Sequence, residues 1–401
     1  MLNVKNIKMN KGMPVGQTHS RYPMTMHIDW LTVVSEYDSE GEKETFEIGL
    51  SLLKKKLKGE YNVKRKNMDK RGGKKSPYKN GLHISECRAE SPKWLSIYTS
   101  PRFKNVGGIC IQIHPQHTTG EGMDSLLNKL NATLDGLLFP ILSRAWVTRV
   151  DVALDIYGCK LEDYFWWLSC AKAYEDFCEP YGLPGLQIGK KSALCLNLYE
   201  KIDASDIKIE GLKRALFHVF DKDHRGKDRY RKERLVDLKE EQHPGLLRAE
   251  FRVQEKKNGT GKYSKAGKVV MFSKLKSMKN PLHRLKVYER GLMSDMFNEW
   301  YKADRPDTNS SKGLLKLLHR DTGRRLGRAA ERIFERREVE LFRANEVWSN
   351  WSDCVNSMGE VLAGLTGKSS ASSNQKSESQ AKIVRKKRRL SGLRSRRERR
   401  P

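Results

Sequence analysis

One strand limits what this chain can fold into more than any other segment. Residues 146–156 read Trp-Val-Thr-Arg-Val-Asp-Val-Ala-Leu-Asp-Ile, so apolar and polar positions alternate. Successive side chains of a strand point to opposite faces of a sheet, and this pattern therefore predicts one buried face and one polar face. The expected buried set is Trp146, Thr148, Val150, Val152, Leu154 and Ile156, and the expected polar set is Arg149, Asp151 and Asp155.

Three further segments, at 108–114, 194–201 and 247–254, alternate in the same way. An antiparallel sheet with one face on helices and one solvated face has this pattern. Apolar residues at helical spacing predict helices elsewhere in the chain. The predicted fold class is therefore α+β, an antiparallel sheet with one face covered by helices. The predicted helical segments are 123–143, about 161–178, parts of 206–241, 281–300 and about 323–348.

Composition along the chain predicts four regions. Residues 1–21 lack periodicity and are expected to form a mobile arm. The main domain is expected at 22–290, followed by a helical extension at 291–362. From 363 to 401 the chain is rich in Ser and Gln and then in Lys and Arg, which cannot bury a core, so a disordered basic tail is expected.

The charge balance points to a polyanionic partner. The chain has 78 Lys and Arg against 49 Asp and Glu, a formal net charge of +29. Nucleic acid is the leading candidate and an anionic membrane surface the second. The sequence contains no run of about 18 apolar residues, so it predicts no membrane-spanning helix. No membrane partner is expected. The seven scattered cysteines favour reduced thiols in a cytoplasm.

The polar face of the predicted sheet carries residue types suited to phosphodiester chemistry. Asp151, Asp155 and Glu250 offer hard oxygen ligands for Mg²⁺ or Mn²⁺. Asp151 and Asp155 are roughly 13 Å apart along a strand, which favours Asp151 with Glu250 as direct ligands. Asp155 is either a third ligand or the partner of an arginine. Carboxylates also pair with arginines on sheet faces without any metal, so spacing alone leaves both interpretations open.

Four motifs in order resemble the replication initiation factor family over about residues 26–255. They are His-Ile-Asp-Trp-Leu-Thr at 27–32, Thr-Arg-Val-Asp-Val-Ala-Leu-Asp at 148–155, the stretch from Ile-Gly-Lys-Lys-Ser to Tyr-Glu-Lys at 188–201, and Leu-Arg-Ala-Glu-Phe-Arg at 247–252. That family includes trans-acting rolling-circle plasmid initiators and filamentous-phage replication proteins. The resemblance implies a sequence-specific DNA nickase with a tyrosine nucleophile, an acidic metal site and a fold similar to the His-hydrophobe-His nickases.

Carried over to this sequence, the resemblance makes Tyr199 the nicking tyrosine, with Asp151 and Glu250 at the metal site. Lys201 and Arg149 are expected to assist catalysis. The chain departs from the family at Gln187, where a tyrosine is common, and at residues 114–117, which read His-Pro-Gln-His in place of a Ser-Gly-rich turn. Tyr288, in a similar local sequence, is the competing nucleophile.

The expected partners are origin DNA, single- and double-stranded, and a host helicase and polymerase in a bacterial cytoplasm; a homodimer is left open. Two alternatives stand beside this interpretation: a non-catalytic DNA-binding regulator of the same family, and a basic RNA-binding protein. The basic residues of 54–79 could equally form a solvated loop. The predicted DNA contacts are Arg248, Arg252, Lys64, Arg65, Lys66, Lys74, Lys75, Arg385, Lys386, Lys387, Arg388 and Arg389.

Overall fold

The computed structural model describes residues 12–16, 19–68, 76–87, 92–103, 106–169, 171, 174–176, 185–190, 193–200, 216–222, 228–234, 245–254, 270–290, 292 and 333–367. The strands in these ranges are β1 (Met13–Val15), β2 (Met24–Ser35), β3 (Tyr61–Asn67), β4 (Tyr78–Glu86), β5 (Lys93–Pro101), β6 (Ile109–Ile113), β7 (Trp146–Tyr157), β8 (Tyr164–Leu168), β9 (Tyr174–Asp176), β10 (Gly185–Gly189), β11 (Leu194–Glu200), β12 (Leu216–Lys222), β13 (Asp228–Arg234), β14 (Leu246–Val253), β15 (Val270–Met271) and β16 (Leu285–Glu289).

The helices of the same ranges are short except for the first two. They are α1 (Glu40–Lys56), α2 (Gly120–Thr133), α3 (Leu138–Ser143), α4 (Ala344–Trp348), α5 (Trp351–Asn356) and α6 (Glu360–Gly367). The same ranges contain 3₁₀ turns at Pro115–His117, Leu161–Asp163, Phe272–Ser277 and Leu282–Arg284.

A large antiparallel sheet organises the molecule. Its main path runs β3-β4-β5-β6-β2-β7-β14-β11-β10-β9, with β1 added beside β2 and β15 beside β7. Two small sheets, β12-β13 and β16-β8, lie outside this path. The predicted α+β class with a large antiparallel sheet is confirmed, and the central strands are β2, β7 and β14.

One face of the sheet forms the core with the helices. Apolar side chains of β6, β11 and β14 alternate into a single buried cluster, as their sequences predict. Phe46 and Leu53 of α1, four residues of α2 and three residues of α3 belong to the same cluster. The opposite face therefore carries the polar side chains, and the functional groups of the strands must be sought there.

Two β-bulges modify the predicted faces of the central strands. The register between β2 and β7 shifts between Ile28 and Trp30 and again between Thr32 and Val33. An extra residue in one strand reverses the alternation beyond it. Val147 therefore joins the main core, whereas Trp146 lies in a separate cluster with Val34, Tyr78, Val106 and Cys110. The prediction that Trp146 and Val150 share a face was wrong for this reason.

Strands form within three segments that were predicted to be helical, wholly or, for 206–241, in part. Residues 164–168 and 174–176 form β8 and β9, residues 285–289 form β16, and the charged 206–241 segment contains the β12-β13 pair. Aromatic and β-branched residues in these stretches, such as Tyr-Phe-Trp-Trp at 164–167, favour strands. At 323–348 the described helical residues are 333–337 and α4, with an interruption between them where Glu338 bridges to Tyr288.

The chain ends of the described structure also correct two boundaries. β1 lies within the predicted mobile arm and pairs with β2, with Val15 buried. Helix α6 continues to Gly367, five residues into the predicted tail, because Leu365 and Thr366 are buried. Residues 368–401 lie outside the described residues. No helix in the described ranges is long and apolar enough to cross a membrane.

The predicted helical extension contributes to the main core. Trp351 and Cys354 of α5 and Leu362 of α6 belong to the same buried cluster as the sheet. The Cys354 thiol donates to the backbone oxygen of Met26 in β2, at 3.7 Å. Asp124 of α2 accepts hydrogen bonds from the first two backbone N–H groups of α6. These helices therefore cover the apolar face of the sheet, opposite the face that carries the polar side chains.

Candidate active site

The polar face carries a charge network where β7, β14 and β11 run side by side. Cross-strand register places Arg248 opposite Asp155 and Arg252 opposite Asp151. On the other side of β14, Tyr199 lies opposite Arg248. Directly opposed side chains in an antiparallel sheet are close enough to interact. Within these three strands, the sheet brings together Asp151 and Arg252, which lie 101 positions apart in sequence.

Arg248 and Asp151 are the most buried members of the network, with no exposed side-chain area. The Nε and Nη2 of Arg248 donate to the two oxygens of Asp155 at 2.6 and 2.7 Å. Its Nη1 donates to Asp29 at 3.0 Å and to Gln116 at 3.3 Å. A buried guanidinium needs such complete pairing, because an unpaired buried charge is very costly. Full burial also leaves this predicted DNA contact no surface for a phosphate.

The first β-bulge explains how Asp29 reaches Arg248. Ile28 pairs with Val152 and Trp30 pairs with Asp151, so Asp29 is the extra residue of β2. Bulges often lie beside functional sites, where they redirect a side chain. Here the extra residue supplies a second carboxylate to the arginine without displacing β2 from β7.

Asp151 lies between two arginines. Arg149 donates to both of its oxygens, through Nε at 2.8 Å and through Nη2. Arg252 donates to it through Nε at 3.2 Å and to Glu250 through Nη2 at 3.3 Å. Both arginines keep some exposed side-chain area, 14% and 18%, which Arg248 does not. Of the three described arginines of the network, these two are therefore the ones that reach solvent.

Tyr199 faces Glu250 across the β11-β14 pair. The phenol donates to Glu250 Oε2 at 3.4 Å, and Asn197 donates to Glu250 Oε1 at the same distance. Burial is the main reason that the pKa of Tyr199 is raised above its ordinary value. Arg248 opposes this increase and Glu250 adds to it. The tyrosine is thus an un-ionised phenol with a carboxylate acceptor beside it.

The carboxyl group of Glu250 has a pKa above its ordinary value. Burial raises its pKa to about 7, Asp29 and Asp151 add to the increase, and Arg252 opposes it. Three carboxyl groups close together disfavour full ionisation. The Glu250 carboxyl group therefore takes up a proton at a higher pH than an ordinary glutamate does.

Arg149 also contacts an aromatic pair beside the carboxylates. Its guanidinium lies over the Trp30 ring at 4.1 Å, a cation–π contact. His114 packs edge-on against Trp30 at 4.3 Å, and His117 lies 5.7 Å from His114 between ring centres. Burial, with nearby His117 and Lys93, lowers the pKa of His114 to about 3, so its ring is neutral. Trp30 therefore contacts the same guanidinium group that pairs with Asp151.

The predicted divalent cation can be compared with these donors. In the part of the chain that is described, no three His, Cys, Asp or Glu side chains are grouped so as to hold a metal ion. Asp155 does not fit as a ligand, because both oxygens accept from Arg248. Asp151 is engaged in the same way, by Arg149 and Arg252, so it can join a metal ion only where those arginines turn to another anion. Glu250 fits better, because burial and the nearby Asp29 and Asp151 raise its pKa, and a divalent cation would relieve that unfavourable ionisation.

Other predicted residues lie away from this network. Lys64 is exposed on β3, and Arg65 donates to the backbone oxygens of Leu50 and Ser51 in α1. Tyr288 is buried on β16 in a separate cluster with Leu292 and Ile333. Lys66 also lies on β3, half-buried. Lys201, Lys74, Lys75, Arg385, Lys386, Lys387, Arg388 and Arg389 lie outside the described residues.

Sequence reasoning missed Asp29, Gln116 and Asn197 as members of the site. Asn197 could have been found, because it alternates with Tyr199 on the same strand face. Asp29 could not, because its position depends on a bulge. Gln116 reaches Arg248 from the 3₁₀ turn after β6, and no periodic signal marks such a turn.

The Glu250→Gln variant should change how stability depends on pH. A carboxyl group with a raised folded-state pKa favours folding at low pH, and this contribution is lost as pH rises from about 4.5 to about 7. Glutamine does not ionise, so we expect the variant to gain stability relative to wild type by about 2 kcal/mol between pH 5 and pH 8. Urea denaturation at both pH values measures this difference. A constant difference between the two proteins would show that Glu250 ionises normally.

No protein-family model matches the chain, and no curated protein matches it either. The functional argument therefore depends on the chemistry of the site.

Proposed function

We propose that this protein nicks and rejoins one strand of an origin DNA through Tyr199 and so starts rolling-circle replication of a plasmid or filamentous-phage genome. The observation that carries the proposal is the contact of the Tyr199 phenol with Glu250 on a sheet face that also presents Arg149 and Arg252. A nucleophile, a proton acceptor and two cations on one face are the parts that phosphoryl transfer needs.

Each described side chain has a role in the proposed reaction. Tyr199 Oη attacks the scissile phosphorus, and its proton passes toward Glu250 Oε2, the acceptor that it already faces. The bond from phosphorus to the 3′ oxygen breaks, and that oxygen takes up a proton. The products are a 5′-phosphotyrosyl protein and a 3′-OH end that a host polymerase extends. Because the covalent bond keeps the phosphodiester linkage energy, the reverse reaction rejoins the strand without ATP.

Arg149 and Arg252 are the proposed phosphate contacts. Their guanidinium groups are partly exposed and lie on either side of Asp151. A planar guanidinium matches two phosphate oxygens, and charge-assisted hydrogen bonds are stronger than neutral ones. Asp151 contacts both guanidinium groups and so keeps them together on the polar face.

Asp151 and Glu250 would hold the divalent cation, Mg²⁺ or Mn²⁺, which when bound polarises a phosphoryl oxygen and neutralises developing charge. The arrangement of a large antiparallel sheet with helices on one face supports a fold similar to the His-hydrophobe-His nickases. The high net positive charge supports origin DNA as the partner, and a helicase would open the duplex ahead of the polymerase. The proposed place of action is the cytoplasm of a bacterial host.

The Tyr199→Phe variant tests the proposal. On supercoiled circular DNA carrying the origin, with Mn²⁺ or Mg²⁺, wild type should relax the substrate and stay attached to the 5′ end. We expect the variant to lose at least about 10³-fold of this activity while binding the origin normally, because only the attacking oxygen is removed. The control is Tyr288→Phe, which changes the competing tyrosine and should nick like wild type.

Other outcomes contradict the proposal in different ways. If Tyr199→Phe cleaves and Tyr288→Phe does not, the nucleophile is Tyr288. If wild type binds the origin tightly but never cleaves it with either metal, the protein is a non-catalytic regulator. If it binds RNA as well as DNA and prefers no origin sequence, the basic RNA-binding alternative is favoured.

A further inference from the structure

Arg248 combines complete burial with direct contact to the proposed nucleophile. The two residues are opposite each other in the β11-β14 pair, and the guanidinium is close enough to the Tyr199 phenol to oppose the increase in its pKa. Its side chain has no exposed area, so it does not touch DNA from this position. A cation placed beside the attacking oxygen, and out of reach of the substrate, needs a role other than phosphate binding.

The hydrogen-bond inventory of Arg248 indicates that role. An arginine side chain has five N–H donors. Asp155 takes one from Nε and one from Nη2, while Asp29 and Gln116 take the two of Nη1. These contacts leave the second N–H of Nη2, and Tyr199, directly opposite Arg248 in the strand pair, is the side chain placed to accept it.

We infer that Arg248 is a positioning residue for Tyr199, an inference that rests on the proposed function. Its Nη2 donates to the phenol oxygen and fixes that oxygen on the polar face, at the point where a phosphate held by Arg149 and Arg252 would arrive. Asp155, Asp29 and Gln116 fix the guanidinium in turn.

The geometry favours positioning over a purely structural role. Asp155 alone would satisfy the charge of Arg248 through its two-oxygen contact. Asp29 adds a second carboxylate, and it reaches the guanidinium only because β2 bulges at that residue. Gln116 adds a further acceptor from a separate turn. Contacts from three different elements fix both the place and the rotation of the guanidinium plane, which is what a directed hydrogen bond to Tyr199 requires.

Steady-state kinetics of cleavage of a labelled single-stranded origin oligonucleotide test the inference. We expect Arg248→Gln to lower kcat about 100-fold with KM changed less than about threefold, because one directed donor is lost and no substrate contact is. Arg248→Lys keeps a donor and should recover about tenfold of kcat. Arg252→Gln should instead raise KM. Arg144→Gln, which breaks an arginine–carboxylate pair with Glu42 between α1 and the end of α3, is the matched control and should behave like wild type.

The results that would overturn the inference are equally specific. Arg248→Gln with raised KM and normal kcat would make Arg248 a substrate contact. Arg248→Gln with both constants normal would remove any role in the reaction. Because Arg248→Gln removes the two-oxygen contact of Asp155 and could unfold the protein, the double variant Arg248→Gln/Asp155→Asn and the single variant Gln116→Ala accompany it. Gln116→Ala keeps every charge and should lower kcat about threefold to tenfold. A normal kcat in Gln116→Ala and in the double variant would overturn the inference.

A DNA-free measurement separates this inference from the proposed function. With 3-fluorotyrosine incorporated, the ¹⁹F resonance of Tyr199 is identified by its loss in Tyr199→Phe. We expect one narrow line in wild type and in Arg144→Gln, and a shifted, broadened line in Gln116→Ala and in the double variant, because the ring loses its fixed partner. If wild type shows this dependence but never cleaves, the proposed function fails while Arg248 still orders Tyr199. If it cleaves but the line is insensitive to Arg248, the inference fails alone.

Discussion

Replacing Asp155 by alanine should destabilise the protein by about 3–5 kcal/mol. Asp155 is 1% exposed, and both of its oxygens accept from Arg248, whose side chain is fully buried. Removal of the carboxylate leaves a buried guanidinium with Asp29 as its remaining anionic partner. The free energy of unfolding from urea denaturation measures the loss.

The control for Asp155 is an ion pair at the surface. Lys286 and Glu338 are paired but more than a third exposed, so Glu338→Ala should cost less than about 1 kcal/mol. The double variant Asp155→Ala/Arg248→Met should regain most of the lost stability, because no charge is left buried without a partner. If Asp155→Ala costs no more than Glu338→Ala, Arg248 is not buried as described.

Replacing Trp351 by alanine should cost about 3–5 kcal/mol as well, for a different reason. Trp351 is 1% exposed, stacks on Trp348 at 4.7 Å between ring centres, and donates its indole N–H to the backbone oxygen of Leu275 at 2.9 Å. Truncation creates a cavity and removes one of the two donors to that oxygen, the other being the backbone N–H of Met278. Guanidinium denaturation should give one transition, shifted to lower denaturant, because α5 belongs to the same core as the sheet.

Trp348→Ala is the matched control, because its ring is only partly buried. We expect it to cost about 1 kcal/mol. Two separate transitions in Trp351→Ala, with the later one unchanged from wild type, would show that the residues predicted as a helical extension form an independent unit.

The sheet faces could be read from the sequence wherever the strands pair regularly. Leu196 and Leu198 of β11, and Leu247, Ala249 and Phe251 of β14, all lie in the core as their alternation predicts. Alternation depends only on backbone geometry, so no knowledge of the partner strand is needed. The same reasoning placed Tyr199 and Glu250 together on the polar face before their contact was known.

Where strand pairing is irregular, the sequence alone did not predict which face of the sheet a side chain lies on. The bulges in the β2-β7 pair moved Trp146 to the other face and brought Asp29 to Arg248. A bulge depends on how two strands accommodate each other, and neither strand shows it alone. Residues 164–168 failed for a related reason: their apolar residues fit a helical stripe, but four successive aromatic side chains favour a strand once a partner such as β16 is present.

The arginine partners could not be assigned from sequence because several were equally available. Spacing left Asp155 as a metal ligand or an arginine partner, and the structure shows a two-oxygen contact with Arg248. The choice depends on cross-strand register, since a shift of two residues would have opposed Asp155 to Glu250 instead. Register is set by the whole strand pair and by its turns.

The contact between Cys354 and Met26 spans 328 residues, and it sets the order in which the protein can be completed during synthesis. β2 is synthesised early. Two elements that complete its surroundings are synthesised late: strand β14, which lies beside β7 in the sheet, and helix α5, which contacts Met26. Domains built from such distant pairings fold slowly, because long loops must close before the contacts form. A ribosome-bound chain therefore exposes the apolar face of β2 until about residue 354 has emerged. Chaperone dependence during expression, and aggregation of chains stopped before α5, are the expected practical results.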